Sequence, residues 1–343
     1  MVHVLGTGDK HARGIALTVM NLAETMDARR YRLSVIFLRD DGAIGDYLRS
    51  LGVNVRAIGW HRGRTDIRGA LRFAHALHSL RPDIVHLHAG GLSPRFVSKV
   101  AAGAKVVMHY HSLEEESRKS RGPRRTPMAA DLILVNSEAT ARSVRRSKPV
   151  VVYPGVHADT KIHEHDHAAP VTVGVAARLA PVKGIEYLIE AVKVLDNVHL
   201  VIAGDGPEKN RLENLARHES LLGRVTFTGW VDDIARTMSR WDIYAQPSVA
   251  EGLGIAALEA MSLAIPVVAS DVGGLREIVV NGETGFLVPP RDAAQLAAHL
   301  KELACNGELR QKMGEAARRR AAEKFSRERE SQALQSAYEK LLD

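Results

Sequence analysis

Val171-Thr172-Val173-Gly174-Val175-Ala176-Ala177-Arg178-Leu179-Ala180-Pro181-Val182-Lys183-Gly184-Ile185-Glu186-Tyr187-Leu188 is the stretch that decides the fold. A β-branched run from Val171 to Ala176 gives way to a turn carrying two fixed cations, and from Ile185 to Leu195 the apolar spacing changes to a helical period. Strand, turn and helix in this order make the first half of a βαβ unit, whose parallel partner strand must follow the helix. His199 to Ala203 supplies that strand. Further strands are predicted at Val225 to Phe227, Ile243 to Ala245, Pro266 to Ala269 and Phe286 to Val288, with helices at Glu208 to Arg217, Gly254 to Met261 and Ala293 to Leu303.

The same alternation runs toward the amino terminus. Strands are predicted at Val2 to Leu5, Leu33 to Leu38, Val53 to Ile58, Ile84 to Leu87, Val106 to Met108, Leu132 to Val135 and Val150 to Val152, and helices at Ala16 to Met26, Ile67 to Leu80 and Ala139 to Arg145. Strands alternating with helices imply parallel sheets covered on both faces. The expectation is an α/β chain of two doubly wound, Rossmann-like domains at 1–155 and 171–325, joined by a linker at 156–170. The segment 326–343 reads as a carboxy-terminal helix packing back on the first domain, from the spacing of Ala333, Ala337 and Leu341 beside Leu334 and Tyr338.

The chain has 343 residues, 45% of them apolar, which excludes a disordered tail and suits two domains. It contains no 18-residue apolar run, and its amino terminus lacks a basic segment followed by an apolar core, so a cytoplasmic location is expected. The single cysteine, Cys305, excludes a disulfide framework and a cysteine-based zinc site. Charge is unevenly shared. Residues 1–155 hold 25 Lys and Arg against 13 Asp and Glu, and the remainder holds 22 against 27. A basic first half points to an anionic partner such as a membrane surface or a phosphorylated or acidic substrate. Arg118-Lys119-Ser120-Arg121-Gly122-Pro123-Arg124-Arg125 concentrates that charge.

A dinucleotide-binding turn would show G-x-G-x-x-G. Gly6-Thr7-Gly8-Asp9-Lys10-His11 and Gly204-Asp205-Gly206-Pro207-Glu208-Lys209 both lack the third glycine, and no P-loop occurs. Chemistry concentrates instead at strand ends of the second half. Arg178 and Lys183 on one turn suit a diphosphate, the first as a bidentate fork and the second as a point charge. Gly252, Leu253, Gly254 and Ile255 start a helix where free N–H groups favour an anion. Glu259, set among Ala256, Ala257, Leu258, Ala260 and Met261, is a carboxylate on a helix expected to be buried, and hydroxyls of a sugar or ribose would satisfy it. Asp271-Val272-Gly273-Gly274-Leu275-Arg276-Glu277 and Asn281-Gly282-Glu283-Thr284-Gly285-Phe286-Leu287-Val288 complete the set. His163, His165 and His167 alternate in the linker and could ligate a metal, but nothing there orients the rings.

Taken together, R-x-x-x-x-K-G, E-x7-E, V-G-G-x-x-E and N-G-x-T-G-x-L-V resemble the donor domain of the family 4 glycosyltransferases, the glycosyl transferases group 1 set, over nearly the whole chain. The resemblance implies a GT-B fold of two Rossmann-like domains facing across a cleft. It further implies retaining transfer of a sugar from a nucleoside diphosphate sugar, UDP- or GDP-linked, to a hydroxyl of a glycan, lipid-linked or other anionic acceptor. Arg178 and Lys183 resemble the family's pair on the donor diphosphate, Glu259 its ribose-binding carboxylate, and Glu251 the residue beside the donor sugar. Ala12-Arg13-Gly14 resembles the glycine-rich loop near phosphate and acceptor, with Arg13 where the family usually has glycine, so the carry-over rests on Gly14. His111, following Val107-Met108-His109-Tyr110, resembles the histidine near the sugar's reacting end. Leu253 replaces a common Phe.

No Asp-x-Asp triplet occurs, so no catalytic metal and no cofactor are expected. Two other readings follow from the same residues. A sugar-nucleotide epimerase of this architecture would bind the donor and need no acceptor. A nucleic-acid-binding protein would use the basic half, but only 5% of residues are aromatic and no stacking motif is present, so no nucleic-acid partner is expected.

Overall fold

The computed structural model describes residues 1–8, 13–60, 66–88, 96–97, 100–101, 103–112, 130–144, 148–157, 170–221 and 223–343. They form two compact units, one drawn from residues 1–155 together with Arg327–Asp343 and the other from Val156–Ser326.

In the first unit the strands are β1 (Val2–Leu5), β2 (Ser34–Phe37), β3 (Asn54–Ala57), β4 (Ile84–His88), β5 (Lys105–Tyr110), β6 (Leu132–Val135) and β7 (Val150–Val151), hydrogen-bonded in the order β3-β2-β1-β4-β5-β6-β7. Every pairing is parallel, with His3 opposite His86 and His88 opposite His109. The helices are α1 (Arg13–Thr25), α2 (Gly42–Ser50), α3 (Ile67–Leu80) and α4 (Glu138–Ser143). Asp66 caps α3 by accepting from the Gly69 N–H, and Ser137 caps α4 by accepting from Thr140.

The second unit has β8 (Val171–Ala176), β9 (Val198–Ala203), β10 (Val225–Gly229), β11 (Ile243–Gln246), β12 (Val267–Ser270) and β13 (Gly285–Val288), in the order β10-β9-β8-β11-β12-β13, again all parallel. Its helices are α5 (Ile185–Lys193), α6 (Lys209–His218), α7 (Ile234–Met238), α8 (Ile255–Ser262), α9 (Leu275–Ile278), α10 (Ala293–Cys305) and α11 (Gly307–Lys324). A core of Val173, Val175, Leu188, Ile189, Leu200, Ile202 and Leu300 lies between sheet and helices. Strand β8 is buried everywhere except Thr172, so it reads as a near-continuous apolar run.

The strand order reverses between β1 and β4 in one sheet and between β8 and β11 in the other. Open α/β sheets bind ligands at such points, outside the carboxyl ends of the strands.

Helix α11 lay beyond the sequence reading, whereas a carboxy-terminal helix packing on the first domain was expected. Helix α11 spans 18 residues that the reading left without an element, and Asn306 caps it through Leu309. The final helix α12 (Arg327–Leu342) belongs to the first unit: Leu334 and Tyr338 are buried with Leu22, Ile84, Val107, Leu134 and Val152. Just before it, Val156 N–H donates to the Phe325 carbonyl at 2.8 Å, in the second unit.

Candidate active site

In the second unit the cationic turn follows β8 directly. Residues 181–183 form a single 3-10 turn with proline at its start, and Gly184 ends it at φ 60°, leading into α5. The turn is fastened on both sides. Leu179 N–H donates to the Asp205 carbonyl at 2.9 Å, and Val249 N–H donates to the Val182 carbonyl at 2.8 Å. The Gly204-Asp205-Gly206 turn therefore has a structural explanation: a Cβ on Gly206 would stand 2.3 Å from the Leu179 carbonyl oxygen, so these glycines let two strand-end turns meet backbone to backbone.

Lys183 and Glu251 meet. The amine lies 2.8 and 3.0 Å from the two carboxylate oxygens, and Glu251 is 7% exposed. Burying that carboxylate requires compensation, and its Oε2 also accepts from Ser248 Oγ at 2.9 Å and Gln246 Nε2 at 3.1 Å. Gln246 in turn accepts from the Tyr244 hydroxyl at 2.5 Å. Burial raises the Tyr244 phenol well above its ordinary pKa, so it stays a donor. The sequence reading named Lys183 and Glu251 and missed Tyr244, Gln246 and Ser248. The signal was available: Gln246 closes β11 and Ser248 follows two residues later, polar residues at the end of a strand that carries Ile243 and Ala245. Arg178 is exposed and makes no hydrogen bond or ion pair with another described residue.

Gly254 caps α8 at φ 100°, a left-handed conformation that favours glycine, and Gly252 and Leu253 before it are buried. Gly274 N–H donates to the Glu251 carbonyl at 3.3 Å, so the V-G-G-x-x-E turn braces the E-x7-E turn. In N-G-x-T-G, Thr284 Oγ1 accepts from the Val280 N–H and Asn281 Oδ1 from the Leu287 N–H, each at 2.9 Å, so this motif builds a turn. One correction concerns Glu259, which was expected among buried neighbours. It is half-buried, because Ile255, Ala256 and Glu259 share the open stripe of α8 while Ala257, Leu258, Ala260 and Met261 face the core. Accessibility to a hydroxyl ligand replaces the desolvation argument.

In the first unit, Gly14 lies within the first turn of α1 and not in a preceding loop, since the helix begins at Arg13. His111 follows β5 directly, half-buried, with its carbonyl accepting from Asn136 at 2.8 Å. Its ring Nε2 is 2.9 Å from His88 Nδ1, and His88 Nε2 is 2.8 Å from His3 Nδ1. His86 and His109 complete five imidazoles on adjacent strands. The reading named only His109 and His111, although His86-x-His88 shows the same two-residue alternation. Burial drives all five toward the neutral form, holding His3 at about 3 and His111 at about 4. The basic run Arg118–Arg125 and the linker histidines His163, His165 and His167 lie outside the described residues.

The glycosyl transferases group 1 family matches residues 159–320, and Glycosyltransferase Family 4 matches residues 12–160. The chain belongs to the family 4, group 1 glycosyltransferases. Within this family the alpha-D-kanosaminyltransferase of Streptomyces kanamyceticus is 39% identical over 43% of this chain and 40% of that protein. LpsE, a lipopolysaccharide core biosynthesis glycosyltransferase of Rhizobium meliloti, is 34% identical over 51% of this chain and 50% of that protein. The chain spans about half the length of the curated relatives it matches. The fold is GT-B: HepE of Anabaena, solved in complex with UDP and glucose, superposes with a TM-score of 0.82 at 22% identity over 98% of each chain. No helix among the described residues is long and apolar enough to cross a membrane.

Proposed function

We propose that the chain transfers a sugar, with retention of configuration, from a UDP- or GDP-sugar to a hydroxyl of a glycan, lipid-linked or other anionic acceptor. The observation that carries this reading is the second unit's cationic turn. Exposed Arg178 and half-buried Lys183 share it, Lys183 is held by Glu251, and it lies at the strand-order reversal. The relatives' names are those of sugar transferases, which favours transfer over isomerisation. HepE was solved with UDP-glucose as well as with UDP and glucose, which supports a nucleotide-sugar donor.

The chemistry follows from the charges. As the anomeric C–O bond breaks, negative charge grows on the departing diphosphate while the sugar becomes oxocarbenium-like. Arg178, Lys183 and the free N–H groups at the start of α8 stabilise the diphosphate. Lys183 exchanges contact with Glu251 for contact with phosphate oxygen, which leaves Glu251 beside the sugar as a negative group favouring the positive ring. Glu259 binds the ribose hydroxyls and Gly14 approaches the phosphate, while His111 serves the reacting end of the sugar. The acceptor attacks from the leaving-group side and its proton passes to the diphosphate, so the step uses no strong protein base and no metal on the diphosphate. The basic first half suits an anionic acceptor or an anionic membrane face.

The test is a panel of nucleotide sugars, with and without acceptors, read as released nucleoside diphosphate. Acceptor-dependent UDP or GDP release is expected, with manganese or magnesium changing the rate less than about twofold. Calorimetry showing no association of UDP, GDP or ADP would overturn the reading. An isomerised sugar formed without acceptor would replace it.

A further inference from the structure

Five imidazoles converge on one face of β1, β4 and β5. Ring centroids are 4.3 Å apart for His86 and His88, 4.5 Å for His3 and His86, and 4.1 Å for His109 and His111. His3, His86, His88 and His109 are at most 3% exposed. A neutral imidazole has one N–H and one lone pair, and buried polar atoms in folded proteins nearly always find partners. Here His109 leaves both nitrogens without a hydrogen-bond partner among the described residues, as does His86 at Nε2 and His111 at Nδ1. His109, fully buried with neither nitrogen engaged, has a lone pair to give to an ion.

We propose that His88, His109 and His111 form a binding site for a divalent transition-metal ion with imidazole ligands only. One ring nitrogen from each lies within 4.8 Å of the other two. A tetrahedral zinc ion with nitrogens at about 2.0–2.1 Å spaces them by about 3.3 Å, and His88 Nδ1 and His111 Nε2 already approach to 2.9 Å. The protons can be placed consistently along the chain from His88 through His3 and Tyr338 to His86. With Nδ1 on the metal, His88 carries its proton on Nε2 and donates it to His3 Nδ1 at 2.8 Å. His3 Nε2–H then points to the Tyr338 hydroxyl oxygen at 3.4 Å, and that hydroxyl donates to His86 Nδ1 at 2.6 Å. Metal-bound histidines usually give their other N–H to such an oriented partner. Three imidazoles without a carboxylate or thiolate select zinc, nickel, copper or cobalt over magnesium or calcium, and leave a fourth coordination place for water. The site lies within the first unit and shares His111 with the transfer reading, so its test reads metal binding and melting rather than transfer.

The linker histidines could bind the same ions, so the test starts from the full chain with His163, His165 and His167 changed to Asn and stripped by chelator. Zinc titration is expected to show about one tight equivalent and a rise in melting temperature, and cobalt to give the intense ligand-field bands of a tetrahedral nitrogen site. His109→Leu in that background should weaken binding by at least about 100-fold while melting no lower than its parent without metal, since it removes two unpaired nitrogens. His109→Phe gives the same readout should the Leu variant fold poorly. Tyr338→Phe, acting through His3, should weaken zinc by about tenfold. Absence of the equivalent in the linker variant, or unchanged affinity after substitution of His109, overturns the site.

Discussion

The two strand-order reversals are built on opposite electrostatic plans. In the second unit a full positive and a full negative charge sit together at the end of the sheet, each held by partners: Lys183 by Glu251, and Glu251 also by Ser248 and Gln246. In the first unit five imidazoles are stripped of charge by burial, and four of their nitrogens have no partner among the described residues. The same topology thus presents a site for a charged ligand on one sheet and a site for lone-pair donation on the other. A buried charge persists only with its counter-charge, whereas a buried histidine persists by giving up its proton.

The largest effect expected from breaking this contrast is on transfer. Lys183→Ala should lower kcat/KM by about 10²–10³, the usual loss for one preorganised donor, and Glu259→Ala should also remove most turnover, mainly through donor KM. Both should keep the wild-type circular dichroism. Near-normal rates in both would detach the cationic turn from catalysis.

Acid comes next. The histidines' folded pKa values are depressed, so the unfolded chain binds protons that the folded chain refuses. Stability is therefore intact above the unfolded value near 6.5 and falls as pH drops toward the folded values, about 4 for His111 and about 3 for His3. Each histidine that stays neutral contributes roughly 1.4 kcal/mol per pH unit across that window. Hydrogen exchange, corrected for its intrinsic pH dependence, should show β4 and β5 losing protection below pH 6 before β8 and β11. Simultaneous loss would mean that the contrast has no thermodynamic weight.

The smallest effect concerns the supports of Glu251. Gln246→Leu removes a donor to the carboxylate and the acceptor of the Tyr244 hydroxyl. It should cost about 1–3 kcal/mol in denaturant unfolding with a smaller change in donor affinity.

The sequence made the strands legible because parallel strands buried on both faces must be short apolar runs, and it made the turn at Arg178 and Lys183 legible because charges between strand and helix stand out. Helix α11 escaped because its buried side, apart from Met313, carries small residues, Gly314, Ala316, Ala317 and Ala321, that leave a faint apolar period. Gln246 and Ser248 escaped because their role is fixed by Glu251 after the chain has folded. The histidine cluster was half visible. Alternation on one strand can be read, but that β1 lies beside β4, across some eighty residues of sequence, is a property of the sheet order.

The position of α12 has a consequence for biosynthesis. The last residues of the chain complete the core of the unit that contains the first: Leu334 and Tyr338 pack with Leu22 and Ile84, and Glu330 accepts from Asn21 at 2.6 Å and from the Gly155 N–H at 2.9 Å. During vectorial synthesis every residue of the second unit has therefore emerged before the earlier-made unit can close. Loss of α12 would therefore strip Leu334 and Tyr338 from the core that holds Leu22 and Ile84.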